Sequence, residues 1–248
     1  MGMTDDDMKD TCTINRIEPE NADITSVFIE GYGDKFRQRK AGQYLTLKIM
    51  QDDQWSEAHP FTISCAPGDP LLRLTIKRAG AFTSAIPTLK KGDRVKCAGP
   101  YGVFCRDIEN RPDIVMIAGG VGITPFLSVL RHFHNNHARN RVLLLWSNKT
   151  IDDAFARDEL NGMTRVLQLN VLYSLSREQD AHRYADDAYP SALFMSGRIT
   201  EDVLRDRVSS KDQSFYLCGP PPMQEFILSQ LGEFGIDAAS VEKEKFSW

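Results

Sequence analysis

Four stretches of this 248-residue chain carry residue types and spacings that suit chemistry on a flat, phosphate-bearing ligand. The first is VMIAGGVGITPFLSVLR (115–131). Gly120 and Gly122 fit the first two places of G-x-G-x-x-G, and Pro125 stands at the third. Glycines closing an apolar strand let a ligand approach the backbone or let φ turn positive. The free N–H groups that follow would face the carboxyl ends of the strands, where α/β sheets hold ligands. Thr124 offers a hydroxyl there. The same residues also suit a plain strand-to-helix turn stiffened by Pro125. The second stretch, YLCGPPPM, ends a buried strand with Cys218 and Gly219 before three prolines. Three missing N–H donors make a rigid connection that fixes the height of Cys218 and Gly219, or simply cap a helix start. The third, AHPFTISCAP, places His59 and Phe61 on one strand face and Thr62 on the other. Phe61, Thr62 and Ser64 offer a flat ring an aromatic wall and polar edge groups. The fourth, KRAGAFTS, brings Gly80, Thr83 and Ser84 before a helical turn, and its N–H groups and hydroxyls suit a pyrophosphate.

The elements that must position these residues fall into two patterns. Residues 25–31, 43–50, 61–66, 71–78 and 93–100 are short β-forming runs separated by Gly, Pro or Asp, which predicts a small antiparallel barrel. Residues 84–89 form a helical turn at one end of it. A polar break, CRDIENRPD (105–113), follows. Apolar strands then alternate with helical patterns. Strands are expected at DIVMIAGG, 141–148, 166–176 and 214–220, with a short edge strand at VEKEKF. Helices are expected from Pro125, over 152–160, over 200–208 with Thr200 as N-cap, and over 222–235 with a stop at Gly235. This is the signature of an α/β unit with a parallel sheet. The expected division is a flexible lead-in over 1–10, a barrel over 11–108 and an α/β domain over 112–248, with a ligand cleft where the two architectures meet.

Composition narrows the function. Thirty basic and 34 acidic residues give a net charge of −4, which offers no reason to expect nucleic acid. No run approaches the length of a membrane span, and the acidic start MGMTDDDMKD has no apolar signal region, so the cytoplasm is the default compartment. The five cysteines, at 12, 65, 97, 105 and 218, show no iron–sulfur spacing. His132, His134 and His137 suit a solvated helix end better than a metal site, and no metal is expected.

Taken in order, GQYLTL, HPFTIS, GAFTS, GPYGVF, AGGVGITP, YSLSRE, GRIT and CGPPPM resemble the ferredoxin–NADP(+) reductase superfamily over residues 11–248. The resemblance implies two domains, an N-terminal antiparallel Greek-key β-barrel that binds FAD and an α/β parallel-sheet domain that binds NADP(H) or NAD(H). The family's usual R-x-Y-[ST] flavin motif is H-P-F-T here, as in its ferric reductase and NADPH oxidase branch. By resemblance, His59, Pro60, Phe61, Thr62, Ile76, Lys77, Gly80, Phe82, Thr83 and Ser84 contact FAD. Gly120, Gly122, Thr124, Ser176, Arg177, Cys218 and Gly219 receive the nicotinamide cofactor. Thr62, Cys218 and Glu244 serve the chemistry, and Phe246 or Trp248 covers the flavin. The implied activity is a hydride transfer that needs nicotinamide C4 against flavin N5.

Two choices stay open at this level. Ser176 stands where related cytochrome b5 reductases carry Asp, and Arg177 follows, which favours NADPH; Glu178, Asp180, Asp152 and Asp153 argue for NADH. The electrons pass to a separate acceptor. A basic rim of Lys35, Arg37, Arg39 and Lys40 suits a small acidic ferredoxin- or flavodoxin-type protein, or is a solvated loop. The alternatives are a non-catalytic FAD-binding electron-transfer or regulatory subunit, and a reductase of free flavin or ferric chelates.

Overall fold

A computed structural model of the chain describes residues 11–51 and 53–245. They form two compact units, one of residues up to Val103 together with Leu127–His132, the other of Phe104–Phe126 with residues from Phe133 onward. The lead-in and the two C-terminal aromatics, Phe246 and Trp248, lie outside the described residues.

The first unit is antiparallel. Its strands are β1 (Thr11–Pro19), β2 (Ile24–Glu30), β3 (Tyr44–Gln51), β4 (Gln54–Trp55), β5 (His59–Thr62), β6 (Leu72–Lys77) and β7 (Arg94–Tyr101), joined in the order β4-β3-β7-β1-β2-β6 with β5 on the second edge of β3. The sheet curls until Ile63, just past β5, bridges Leu74 of β6. Alternation drives the curl, because Cys12 and Ile14, Leu45, Leu47 and Ile49, and Val95 and Cys97 all point inward to one core. β1 and β4 escaped the sequence reading. β1 is studded with Thr, Asn and Arg on its outer face, and β4 is only two residues long. A short helix, α1 (Ala81–Ala85), continues into a 3₁₀ turn over Ile86–Thr88, so the expected helical turn starts three residues earlier than Ser84.

The second unit has a parallel sheet in the order β11-β10-β9-β8-β12-β13, made of β8 (Asp113–Gly119), β9 (Arg141–Asn148), β10 (Leu169–Leu175), β11 (Ala192–Ser196), β12 (Ser214–Gly219) and β13 (Glu242–Lys245). Its helices are α2 (Thr124–Asn135), α3 (Arg157–Met163), α4 (Glu201–Arg207) and α5 (Pro221–Phe234). Leu145, Leu172, Leu217, Ile227 and Leu231 belong to the core on one sheet face. Three expectations need correction. β11 was not foreseen, since ALFMS is too short to separate from loop. The helix expected over 152–160 is two elements, because the Asp153 carboxylate accepts the Thr150 N–H and hydroxyl and closes a separate 3₁₀ turn. Thr200 holds the N-cap position of α4 without a side-chain cap; Gln230 Oε1 instead accepts the Glu201 N–H at 2.9 Å.

Candidate functional site: an aromatic surface in one unit and a glycine turn in the other

In the first unit, β5 and α1 build one aromatic surface. The His59 ring stacks on Phe82 with centroids 4.0 Å apart and planes 30° apart. Phe61 lies 5.8 Å from the same ring, at 19°. His59 and Phe61 therefore share a face, as their spacing of two requires. Thr62 points the other way and is buried. At the start of α1 the Thr83 hydroxyl accepts from the Ala79 and Gly80 N–H groups at 2.8 and 2.9 Å, which fixes the turn. The N–H groups of the first helical turn then point outward with no intrahelical partner. Ser84 is exposed beside them. Ile76 is in the core, and its backbone faces β2, where it pairs with Thr25. Lys77 differs. The Arg78 N–H bonds Asp23 on the β2 side, and the Arg73 carbonyl faces Ser64 on the opposite side. By alternation the backbone of Lys77 also faces that opposite edge. Ser64 is a correction: its hydroxyl is buried between the Arg73 carbonyl and Thr75 Oγ1, at 3.1 and 2.9 Å, and cannot edge a ligand ring.

In the second unit, the glycine stretch and the proline stretch meet. Residues Gly120–Ile123 form a 3₁₀ turn between β8 and α2. Gly120 has φ +51, a conformation that side chains disfavour. Gly122 packs directly on the Cys218–Gly219 backbone. Trp146 Nε1 donates to the Gly120 carbonyl at 2.9 Å and holds the turn from below. Thr124 is buried, and its hydroxyl donates to the Val121 carbonyl at 3.0 Å, so it braces the turn rather than facing a ligand.

Register places Glu244, Cys218, Ala118, Trp146, Tyr173 and Phe194 in one row across all six strands. The row runs just short of the carboxyl ends of the strands. Burial pushes the Cys218 thiol well above its ordinary range, and the Glu244 carboxylate adds to this, so the sulfur is a neutral thiol at physiological pH. Burial also pushes Glu244 up to about 6, with Glu242 reinforcing it. A polarizable neutral sulfur beside a carboxyl poised near neutrality suits a planar ring that takes part in hydride chemistry, and excludes thiolate attack.

Two family models match the chain: an FAD-binding domain over residues 21–144 and an oxidoreductase NAD-binding domain over residues 116–229. The chain belongs to the FAD- and NAD(P)-binding oxidoreductases of the ferredoxin–NADP+ reductase superfamily. Among curated members, a flavohemoprotein of Xylella fastidiosa is 30% identical over 242 residues, covering 94% of this chain and 57% of its own. The reductase component of a propane 2-monooxygenase of Rhodococcus jostii is 28% identical, covering 94% of this chain and 62% of its own. The chain thus spans about three fifths of these relatives. Among solved structures, the FAD/NAD-binding domain of a Vibrio cholerae nitric oxide dioxygenase has the same fold, with a TM-score of 0.78 at 22% identity, covering 95% of this chain and 98% of its own.

The residues present fit the two cofactors of this superfamily. His59, Phe61 and Phe82 offer aromatic faces of the size a flavin ring system needs, and the α1 start beside them offers N–H donors of the kind phosphates accept. Gly120 leaves the turn open on its outer side, where a Cβ would meet nothing within 4 Å.

The Ser176–Arg177 stretch is ordered by its backbone. Both the N–H and the hydroxyl of Ser176 donate to the Asn148 carbonyl, at 2.9 and 3.2 Å, and the Arg177 N–H bonds the Lys149 carbonyl at 2.8 Å. Two of the four carboxylates that argued against a phosphate are occupied, while Asp152 and Asp180 are exposed. Glu178 accepts from the Ile151 N–H and pairs with Arg183 at 3.1 Å, and Asp153 caps Thr150. The Arg177 side chain is exposed beside them.

Three residues that position this site went unnoticed in the sequence. Trp146 and Asn148 end β9 on the same face, and nothing beside them in the sequence marks the asparagine as buried. Gln224 is buried and donates to both the Gly219 and Glu244 carbonyls at 2.8 Å, stapling β13 to β12. One surface expectation also fails. Arg39 is buried, donating to the carbonyls of Phe36, Ala66 and Asp69, so it is a structural tie and no part of a docking rim.

Proposed function

We propose that the chain takes a hydride from a nicotinamide dinucleotide, NADPH in preference to NADH, and passes the electrons to a separate redox protein of small, acidic, ferredoxin or flavodoxin type. The observation that carries this reading is the register pair Cys218–Glu244, a neutral thiol beside a carboxyl at about 6 at the end of the dinucleotide-binding sheet. Cys218 supplies a soft, uncharged wall for the nicotinamide, and Glu244 holds or releases a proton at its carboxyl near physiological pH. Thr62 supplies the hydroxyl on the flavin side, and His59, Phe61 and Phe82 hold the ring system. Bound FAD would supply the conversion of a hydride into electrons released singly or in pairs.

NADPH is favoured because Arg177 is exposed while Glu178 and Asp153 are occupied. A separate protein acceptor is supported by the name of the Rhodococcus relative, a reductase component. The flavohemoprotein relatives favour a second reading, a haem as acceptor. Lys35, Arg37 and Lys40 remain exposed as the cationic patch, although Arg37 pairs with Asp34 at 3.1 Å. Five buried cysteines that form no disulfide suit a reducing compartment such as the cytoplasm, and no helix among the described residues is long and apolar enough to cross a membrane.

The test is anaerobic stopped-flow mixing of the FAD-loaded protein with NADPH and NADH in parallel, followed at the flavin band near about 450 nm. Rapid bleaching, faster with NADPH, is the expected result. Absence of bleaching with either donor would remove the reductase reading in favour of a non-catalytic role.

A further inference from the structure

The amide of Asn148 is the one polar side chain of the second unit, among the described residues, whose buried nitrogen and oxygen both lack a hydrogen-bonding partner. The residue is 5% exposed. It ends β9, two residues after Trp146, so the two side chains share a sheet face. Trp146 reaches back to the Gly120 carbonyl, which puts Asn148 one step nearer the carboxyl end, beside the Gly120 turn. On its other side it pairs with Leu175 in register, and its own carbonyl takes both donors of Ser176. Asn148 therefore stands between the glycine turn and Ser176, at the strand ends where parallel sheets of this kind receive ligands.

A buried amide left unpaired is a substantial cost, and folded chains retain one where something else completes it. The chemistry of that completing group follows from the amide itself. Oδ1 needs a donor and Nδ2 needs an acceptor on neighbouring atoms. An ionised phosphate only accepts and would leave Oδ1 orphaned. A cation only donates and would leave Nδ2 orphaned. A hydroxyl does both. We propose that Asn148 is a binding residue for a ribose hydroxyl of the nicotinamide dinucleotide, closed over in the unliganded chain and completed when the cofactor enters. This rests on the assignment of the dinucleotide to this sheet.

The experiment uses the FAD-loaded protein with Asn148→Ala, and with Asn148→Val as a second apolar variant of different size. Titration calorimetry with NADP+ and NAD+ should show affinity weakened about tenfold, the worth of one good hydrogen bond. The urea midpoint should hold or rise because an unpaired polar group has been removed. Titration with 5′-AMP and with nicotinamide mononucleotide, each carrying a single ribose, then assigns the hydroxyl to the adenosine or the nicotinamide half, whichever fragment loses affinity. Unchanged dinucleotide affinity in both variants would overturn the proposal. So would a fall in stability that parallels the loss of affinity in both, since that marks an amide serving the fold. Failure of the parent protein to bind either dinucleotide would overturn the underlying assignment as well, and is distinguished by appearing before any substitution is made.

Discussion

A Cβ placed on Gly122 would stand 2.5 Å from the carbonyl oxygen of Cys218 and 2.8 Å from the Cα of Gly219. The glycine turn after β8 and the end of β12 are therefore in backbone contact, and the two motifs form one object. Gly120, two residues away, has open space where its Cβ would be and needs glycine only for its φ of +51. Gly122→Ala is expected to destabilise by about 3 kcal/mol, as overpacking against fixed backbone does. Gly120→Ala should lose only about 1 kcal/mol. Urea denaturation of the two variants separates them, and equal losses would mean that the β12 contact is loose.

Glu244 should leave a signature in pH. Its carboxyl, pushed up to about 6 by burial and by Glu242, holds its proton more tightly in the folded chain than in the unfolded one. The folded chain then binds more protons than the unfolded one between the ordinary carboxylate value and about 6. This contribution to stability is complete below the ordinary value and is lost as pH rises through about 6. Glu244→Gln should flatten the stability–pH curve over that window, and should remove an inflection near the same pH from the rate of flavin reduction. A parent curve already flat there would count against the shift.

All five cysteines are buried, and burial raises the Cys65, Cys105 and Cys218 thiols. Iodoacetamide at mildly alkaline pH should label the native protein very slowly and the urea-unfolded protein at all five positions. Fast labelling of Cys218 in the native state would contradict a neutral, enclosed thiol.

The aromatic surface of the first unit makes flavin retention separable from folding. Phe82→Ala removes a buried ring that contacts both His59 and Phe61, so it should lose about 3 kcal/mol of stability together with bound FAD. His59→Ala removes a half-buried ring and should lose FAD with a much smaller stability change. The ratio of flavin to protein absorbance after gel filtration, set beside thermal midpoints, reads both.

Arg177→Glu tests donor choice. The reversal of charge at an exposed side chain should raise KM for NADPH about tenfold or more while leaving KM for NADH within about twofold. Equal effects on both donors would place Arg177 away from the 2′-phosphate.

The two architectures were legible because their periodicities differ. Alternating runs such as TLKIM face one core, whereas IVMIA is covered on both faces. The faces of His59, Phe61 and Thr62 followed from alternation alone. What stayed hidden depends on contacts distant in sequence. Nothing near Thr124 announces that its hydroxyl turns back to Val121, and nothing near Ser64 announces Thr75. Arg39 reads as surface because arginine usually is, yet the Phe36 carbonyl just before it and the two carbonyls of the Ala66–Asp69 turn make it an interior residue. Asn148 and Gln224 were invisible for the same reason, since a lone amide has meaning only once its neighbours are known.

The strand that carries Glu244 is the last and outermost of its sheet, four residues long and bonded on one side only. Its hold comes from β12, from the Gln224 staple, and from Glu242, which accepts the Cys105 N–H at 2.7 Å. Cys218, by contrast, is gripped between neighbours on both sides. The two groups are adjacent in register but unequal in permanence. Local opening of the edge would carry the carboxyl away and leave the thiol in place, so the proton-bearing half of the pair can be withdrawn without unfolding the half that shapes the pocket.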